Sequence, residues 1–305
     1  MTGALEKAGH IVHQFCDCTL DGSRYDVIVA LGEAIFREGL RSRLERTPKR
    51  ERPLVVAWHF DPLPPPRASG LWWPVPGLHE FARIVLRRYA FDPYTNYVRL
   101  RDLARSGIAD LIAVSSNGRV EFLAERGITA YYAPLGYFPE LGHDLGIQRD
   151  LDVLFLGDLL VGRRRRIVRR LRKRGVPVQA VGDFHDPAYW GENRTRLLNR
   201  TKIFLNIPRF RGEFAGMRMA LAAANKTMVI SEPLYWPAPF VPGRHFISAE
   251  LDEMPDAVAW YLEHEEERER IAAEAHRLVV EEFTLERSVR TLLGLIQERL
   301  GGRRS

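Results

Sequence analysis

The sequence predicts an α/β protein built from two parallel-sheet domains. Three observations predict it. Short continuous apolar runs alternate with longer stretches of helical periodicity, that alternation starts a second time near residue 150, and 305 residues exceed what one hydrophobic core usually fills. Runs such as V-I-V-A-L at 27–31 and V-L-F-L at 153–156 lack polar alternation, as strands covered on both faces do.

In chain order, residues 2–8 read as a helix closed by Gly9, 11–15 as a strand, and 25–31 as a buried strand. A helix over 33–46 and a strand over 53–58 follow, the latter running into His59, Phe60 and Asp61. A first strand, which in a doubly wound sheet lies mid-sheet, is missing from the N-terminal domain in this reading; either the start codon is placed too late or the domain has lost the strand, and we favour the former. Residues 61–97 turn proline-rich and aromatic, which breaks regular structure. Trp72 and Trp73 there line an acceptor pocket, touch lipid or fold onto their own loop. Helical periodicity resumes at 97–105, and 109–136 reads strand, helix, glycine stop and strand, with Ser116 or Asn117 as the N-cap.

The glycine-bearing polar segment 141–150 reads as a linker, giving domains at 1–143 and 150–284 and a terminal helix over 285–305 that packs back on the first. Beyond it come a strand at 152–156, a basic helix, a strand at 176–181, a helix at 193–199, a strand at 202–208, an alanine-rich helix at 217–225 and a strand at 227–231. A proline-rich loop spans 233–242, a short strand 245–247, and the remainder is helical.

Composition narrows the function classes. The net charge of +6 is concentrated in R-R-R-R-I-V-R-R-L-R-K-R at 163–174, where Ile167, Val168 and Leu171 form an apolar stripe and the bases a solvated or anion-attracting remainder. Nucleic acid is not the expected partner. Cys16 and Cys18 stand alone, without zinc-ligand spacing, as free thiols of a reducing cytosol. The absence of a bilayer-length apolar run and of a signal-peptide core predicts a cytoplasmic protein, with peripheral membrane contact left open.

The chemistry concentrates in residues 199–232, a strand–loop–helix–strand unit. Ligands of parallel sheets gather where loops leave the carboxyl ends of strands, and a following helix directs backbone N–H groups and the positive end of its dipole at an anion. The loop and helix start hold Arg209, Glu213, Gly216 and Arg218, a mixture suited to a sugar diphosphate. Gly157, ending its strand, permits close phosphate approach, with Arg163 and Arg164 in reach of the same anion, and Glu232 follows the last strand. Breaking a sugar–diphosphate bond develops negative charge on the leaving phosphate, and as no D-x-D carboxylate pair stands out to hold a divalent metal, arginines neutralise it. At the end of the strand over 53–58, His59 or Asp61 is placed to take an acceptor proton if the reaction inverts. Each has a structural alternative, a core histidine and a turn former before Pro62.

D-V-L-F-L-G-D-L, the basic helix, L-N-R-T-K-I-F-L-N-I, G-M-R-M-A-L-A-A-A-N-K-T-M-V-I-S-E and A-V-A-W-Y-L-E-H-E-E-E-R-E-R together resemble GT-B glycosyltransferases, closest to the spore-maturation-protein (CgeB-like) branch of the group-1 transferases. The likeness covers 152–293. It implies two Rossmann-like domains facing across a cleft, and transfer of a sugar from a nucleotide-diphosphate donor, held by the C-terminal domain, to a small-molecule, glycan, lipid or protein acceptor. No cofactor or metal is implied. Glu213 matches the first place of the group's Glu-x7-Glu motif, which contacts the donor sugar; Leu221 stands at the second, where a carboxylate would hold the ribose. Arg218 matches an arginine of the closer branch. Leu221 and the missing strand also prompt a rival expectation, a degenerate GT-B protein that binds without catalysis.

Overall fold

The computed structural model describes residues 2–15, 25–36, 38–71, 93–159, 162–182, 186 and 189–304. Cys16, Cys18, Trp72 and Trp73 lie outside the described residues. The chain divides into two compact units, Met1–Pro134 with Glu286–Ser305, and Leu135–Leu285.

In the first unit, β1 (Val27–Leu31), β2 (Leu54–His59), β3 (Leu111–Val114) and β4 (Tyr131–Tyr132) form a parallel sheet whose spatial order follows the chain. All six residues of β2 are buried, which its unbroken apolar run dictates. The helices are α1 (Thr2–Lys7), α2 (Glu38–Arg46), α3 (Pro93–Ser106) and α4 (Asn117–Ala124). Ser116 caps α4, its hydroxyl accepting from the Arg119 N–H. Leu100, Leu103, Phe122 and Leu123 pack on Val55, Ala57, Ile112 and Val114 as the core.

Two expectations change here. Residues 11–15 form no strand; Ile11 is 92% exposed, and His13 and Phe15 instead meet the Tyr25 ring edge-on. The helix expected over 33–46 splits into a 3-10 turn, Gly32–Phe36, which buries Ile35 and Phe36, and α2. Among the described residues the strands of this sheet are hydrogen-bonded in the order β1-β2-β3-β4, with β1 at one edge.

The second unit holds β5 (Leu151–Leu156), β6 (Val178–Val181), β7 (Thr201–Asn206), β8 (Met228–Ser231) and β9 (Ile247–Ser248), all parallel, in the order β6-β5-β7-β8-β9. The chain steps from β5 to β6 and then returns to the other flank of β5, so strand order reverses between β5 and β7. Alternate residues of each strand serve opposite faces. On one face Val153, Phe155, Ile203 and Ile230 meet Ile167, Val168 and Leu171 of α5 (Gly162–Lys173) and Val258 of a helix over Met254–Glu263. On the other, Leu154, Leu156, Phe204 and Val229 meet Leu198 of α6 (Gly191–Asn199) and Met219, Ala220 and Ala223 of α7 (Gly216–Ala224). With the helix Met254–Glu263 as α8, α9 (Glu265–Arg277) supplies Ile271 to the first face and Ala275 to the second, and α10 (Leu285–Arg304) ends the chain. No helix among the described residues is long and apolar enough to cross a membrane.

The entry and exit of this unit are clamped together. Tyr137 N donates to Phe283 O at 2.6 Å and Leu285 N to Tyr137 O at 2.8 Å. The break between units lies at Pro134/Leu135, so the polar segment over 141–150 does not join them but straps the second unit. Its physical anchor is a buried amide pair. Asn225 Nδ2 donates to Leu141 O at 3.0 Å, Asn199 Nδ2 to His143 O at 2.9 Å, and Leu145 N to Asn199 Oδ1 at 2.7 Å. Arg149 adds bonds to the carbonyls of Leu198, Thr201, Asn225 and Lys226. Asn199→Ala orphans buried donors and acceptors on three segments and is expected to cost about 2–3 kcal/mol. Urea denaturation at pH 7 checks this, and a loss below about 0.5 kcal/mol, within the range of an ordinary surface change, would contradict the strap.

Candidate functional site

The second unit brings the arginines together at its strand-order reversal. There the connections after β5 and β7 leave toward opposite faces, as the packing of α5 and α7 requires, and such points are where parallel sheets hold ligands. Gly157 follows β5, Arg163 and Arg164 occupy the first turn of α5, Gly216 and Arg218 the first turn of α7, and Glu232 follows β8.

Arg218 is anchored from three sides. Its Nε donates to Asn206 Oδ1 at 2.9 Å and its Nη1 to Leu156 O at 2.6 Å, while the guanidinium lies over Phe204 (4.8 Å) and Phe155 (5.4 Å). Asn206 is itself held by a bond from its Nδ2 to Ser231 Oγ at 2.9 Å. Burial lowers the Arg218 pKa from 12.5 to about 9, with the charge of Arg164 acting in the same direction. Arg164 is pushed down as well, first by burial and then by Arg209; its Nε donates to Ile207 O at 3.0 Å. Its two terminal nitrogens make no hydrogen bond among the described residues.

The two guanidinium groups meet at Gly157. A Cβ built there would stand 3.4 Å from Arg218 Nη1 and 3.6 Å from Arg164 Nη1. Gly182, at φ +130°, packs its Cα so tightly on the same backbone that an added Cβ would lie 2.7 Å from Gly157 N. Glu213 sits in the β7–α7 loop, its N donating to Phe210 O at 3.1 Å. Its carboxylate raises the pKa of both Arg164 and Arg218 and takes no hydrogen bond among the described residues.

The other residues singled out from the sequence do different work. Arg163 pairs with the buried Glu232 through both terminal nitrogens and donates to Pro208 O at 2.9 Å, bracing the start of α5 against the ends of β7 and β8. Gly216 lies between aromatic rings, 3.2 Å from Phe283 Cζ and 3.4 Å from Phe214 Cζ at the place of a Cβ. Arg209 stays in the loop, close enough to Arg164 to depress its pKa. Leu221 packs against an apolar cluster. Asn206, Phe155 and Phe204 were not singled out from the sequence. An asparagine closing an apolar strand ahead of an arginine-bearing loop is the signal that marks the first; nothing local marks the two rings.

In the first unit, polar residues gather at the carboxyl ends of β1, β2 and β3. Glu33 accepts from Arg99 at 2.6 Å, and Arg119 donates to Phe60 O at 2.7 Å and to Ser115 Oγ. His59 is 1% exposed, its ring nitrogens make no hydrogen bond among the described residues, and Nε2 lies 3.7 Å from Asp61 Oδ2. Burial first, then Arg119 and Arg99, lower its pKa from 6.5 to about 3, so the ring is neutral, and a weak base, at working pH. The Asp61 side chain is 22% exposed.

A histidine held neutral stabilises the fold fully above pH 6.5, and that contribution fades as pH falls toward 3, because the unfolded chain protonates first. Between pH 7 and 4.5 the wild type is therefore expected to lose about 2 kcal/mol more than His59→Leu, by urea denaturation at both pH values. Equal losses would show that the ring is not held neutral.

Residues 163–294 match the model of the glycosyl transferase-like family, a span that includes both guanidinium groups and Glu213. A search of curated protein sequences returned no significant match. Among solved structures, sucrose-phosphate synthase from Thermosynechococcus elongatus is similar at a TM-score of 0.59 with 12% identity, over 92% of this chain and 75% of its own. HepE from Anabaena, solved with UDP and glucose, has a TM-score of 0.59 with 13% identity over 87% of this chain and 83% of its own. TarM has a TM-score of 0.58 with 11% identity over 88% of this chain, and this chain spans 54% of TarM. The two parallel-sheet units thus have the fold of the GT-B glycosyltransferases.

Proposed function

We propose that the chain is a glycosyltransferase that takes a sugar from a nucleoside-diphosphate donor, with the diphosphate held in the second unit and the acceptor in the first. The observation that carries this reading is the pair Arg164 and Arg218 on the first turns of α5 and α7, converging on Gly157 at the strand-order reversal. Two like charges drawn together and desolvated, with lowered pKa values, are an arrangement an anion relieves. HepE, crystallised with UDP and glucose, supports a nucleotide-sugar donor.

In the reaction the bond between the sugar's anomeric carbon and the diphosphate oxygen breaks, and the electron pair passes to that oxygen. Arg164 and Arg218 neutralise the charge developing there, without a metal ion. The acceptor hydroxyl bonds to the anomeric carbon and gives up its proton. For an inverting course Asp61 suits proton acceptance better than His59, whose pKa near 3 leaves it a weak base. The same reading takes the donor sugar as a hexose, the setting as the cytosol, and the nearest relatives as the CgeB-like branch, on the strength of Arg218.

A second reading, binding without catalysis, is favoured by Leu221, which puts an apolar side chain where a ribose-holding carboxylate would stand. Isothermal titration with UDP, GDP, dTDP and ADP tests both. One nucleotide is expected to bind, and Arg164→Ala and Arg218→Ala each weaken it at least about tenfold, the worth of one charge-assisted hydrogen bond. Release of free sugar from the matching donor selects the enzyme; binding with no release selects the second reading. Binding of none would remove both.

A further inference from the structure

The proline-rich loop after β8 is fastened at both ends to the turn that carries Glu213. Leu234 bridges Gly212 in parallel, Tyr235 N donates to Gly212 O at 2.8 Å, and the buried Phe240 meets Phe214 edge-on with ring centroids 6.1 Å apart. Because the bridge is parallel, Glu213 and Trp236 continue from the same end of it. Trp236 is 48% exposed and takes φ +47°, a conformation unfavourable for a bulky L-residue, which persists where the surroundings impose it and often marks a function.

Its ring is also left over by the fold. Trp58 is buried and donates to Ala133 O, Trp190 lies beneath Arg194, and Trp260 stacks on His264 at 3.9 Å. Of the described tryptophans, Trp236 alone has neither a ring partner nor a hydrogen bond for its N–H among the described residues. An indole offers an apolar face to the C–H groups of a sugar ring and a donor to its hydroxyls, and a carboxylate accepts from those hydroxyls. Glu213 supplies that carboxylate and acts on the charges of both Arg164 and Arg218, and the bridge between Gly212 and Leu234 brings the backbone leading to Trp236 alongside the Glu213 turn.

We propose that Trp236 is a specificity residue for the transferred sugar, its indole stacking on the sugar ring beside Glu213. The inference rests on the nucleotide-sugar reading above. The experiment is isothermal titration of the wild type, Trp236→Ala and Trp236→Phe with UDP, GDP, dTDP and ADP, and with the hexose conjugate of whichever binds. Trp236→Ala is expected to weaken the conjugate about tenfold and leave the free nucleotide unchanged, while Trp236→Phe keeps most of the affinity. Unchanged nucleotide binding shows that the variant is folded. Equal weakening of nucleotide and conjugate would overturn the proposal by placing the ring on the base or ribose, and no weakening of either would overturn it by making Trp236 a bystander. Failure of the wild type to bind any nucleotide would remove the function reading and this inference together.

Discussion

The second unit is arranged around a cation it cannot fully solvate. Arg218 is drawn under the ends of β5 and β7 by a strand carbonyl, an asparagine and two aromatic faces, and the result is a guanidinium whose pKa falls to about 9. Nearly every neighbouring feature is explained by keeping it there. Asn206 is oriented by Ser231, Phe155 and Phe204 are in place because β5 and β7 are buried on both sides, and the connection after β5 is a glycine where Arg164 and Arg218 approach it. Arg163 and Glu232, which neutralise one another, hold α5 in the position that aims Arg164 at the same point. An unpaired charge beside a paired one is a division of labour: one arginine fixes geometry and the next keeps donors to spare.

The units differ in how they use their sheets. The second reverses strand order and so gains a place where two helix starts converge. In the first, the described strands follow chain order, and polar residues collect at their carboxyl ends without that convergence. Its most confined titratable group, His59, is kept neutral by burial and by two arginines, the opposite of the treatment a proton acceptor at neutral pH needs.

Much of this was legible in the residues, because βαβ alternation is a local pattern. The strands from 151 to 231 and the helices between them fall within a few residues of their expected ends, and the arginines of 163–218 stand out by their place beside strand ends and helix starts and, for Arg218, by the family resemblance. What was not legible depends on distant partners. That Arg163 would be occupied by Glu232 while Arg164 would not is decided by one step around α5, which places the first toward the end of β8 and the second toward the end of β7. The segment over 141–150 has the composition of a linker, and only the two asparagines more than fifty positions onward turn it into a strap. Residues 11–15 have strand-like composition but pair with no strand among the described residues.

One ring connects features that otherwise look separate. Phe283 carries the carbonyl that receives Tyr137 N where the chain enters and leaves the second unit, its ring packs on Phe240 at 5.4 Å, and Phe240 in turn touches Phe214, the residue after Glu213. The doorway of the unit and its Glu213 turn are therefore two ends of a short aromatic lever. Strain introduced at the doorway would travel along three rings to the Glu213 turn, bypassing the sheet altogether.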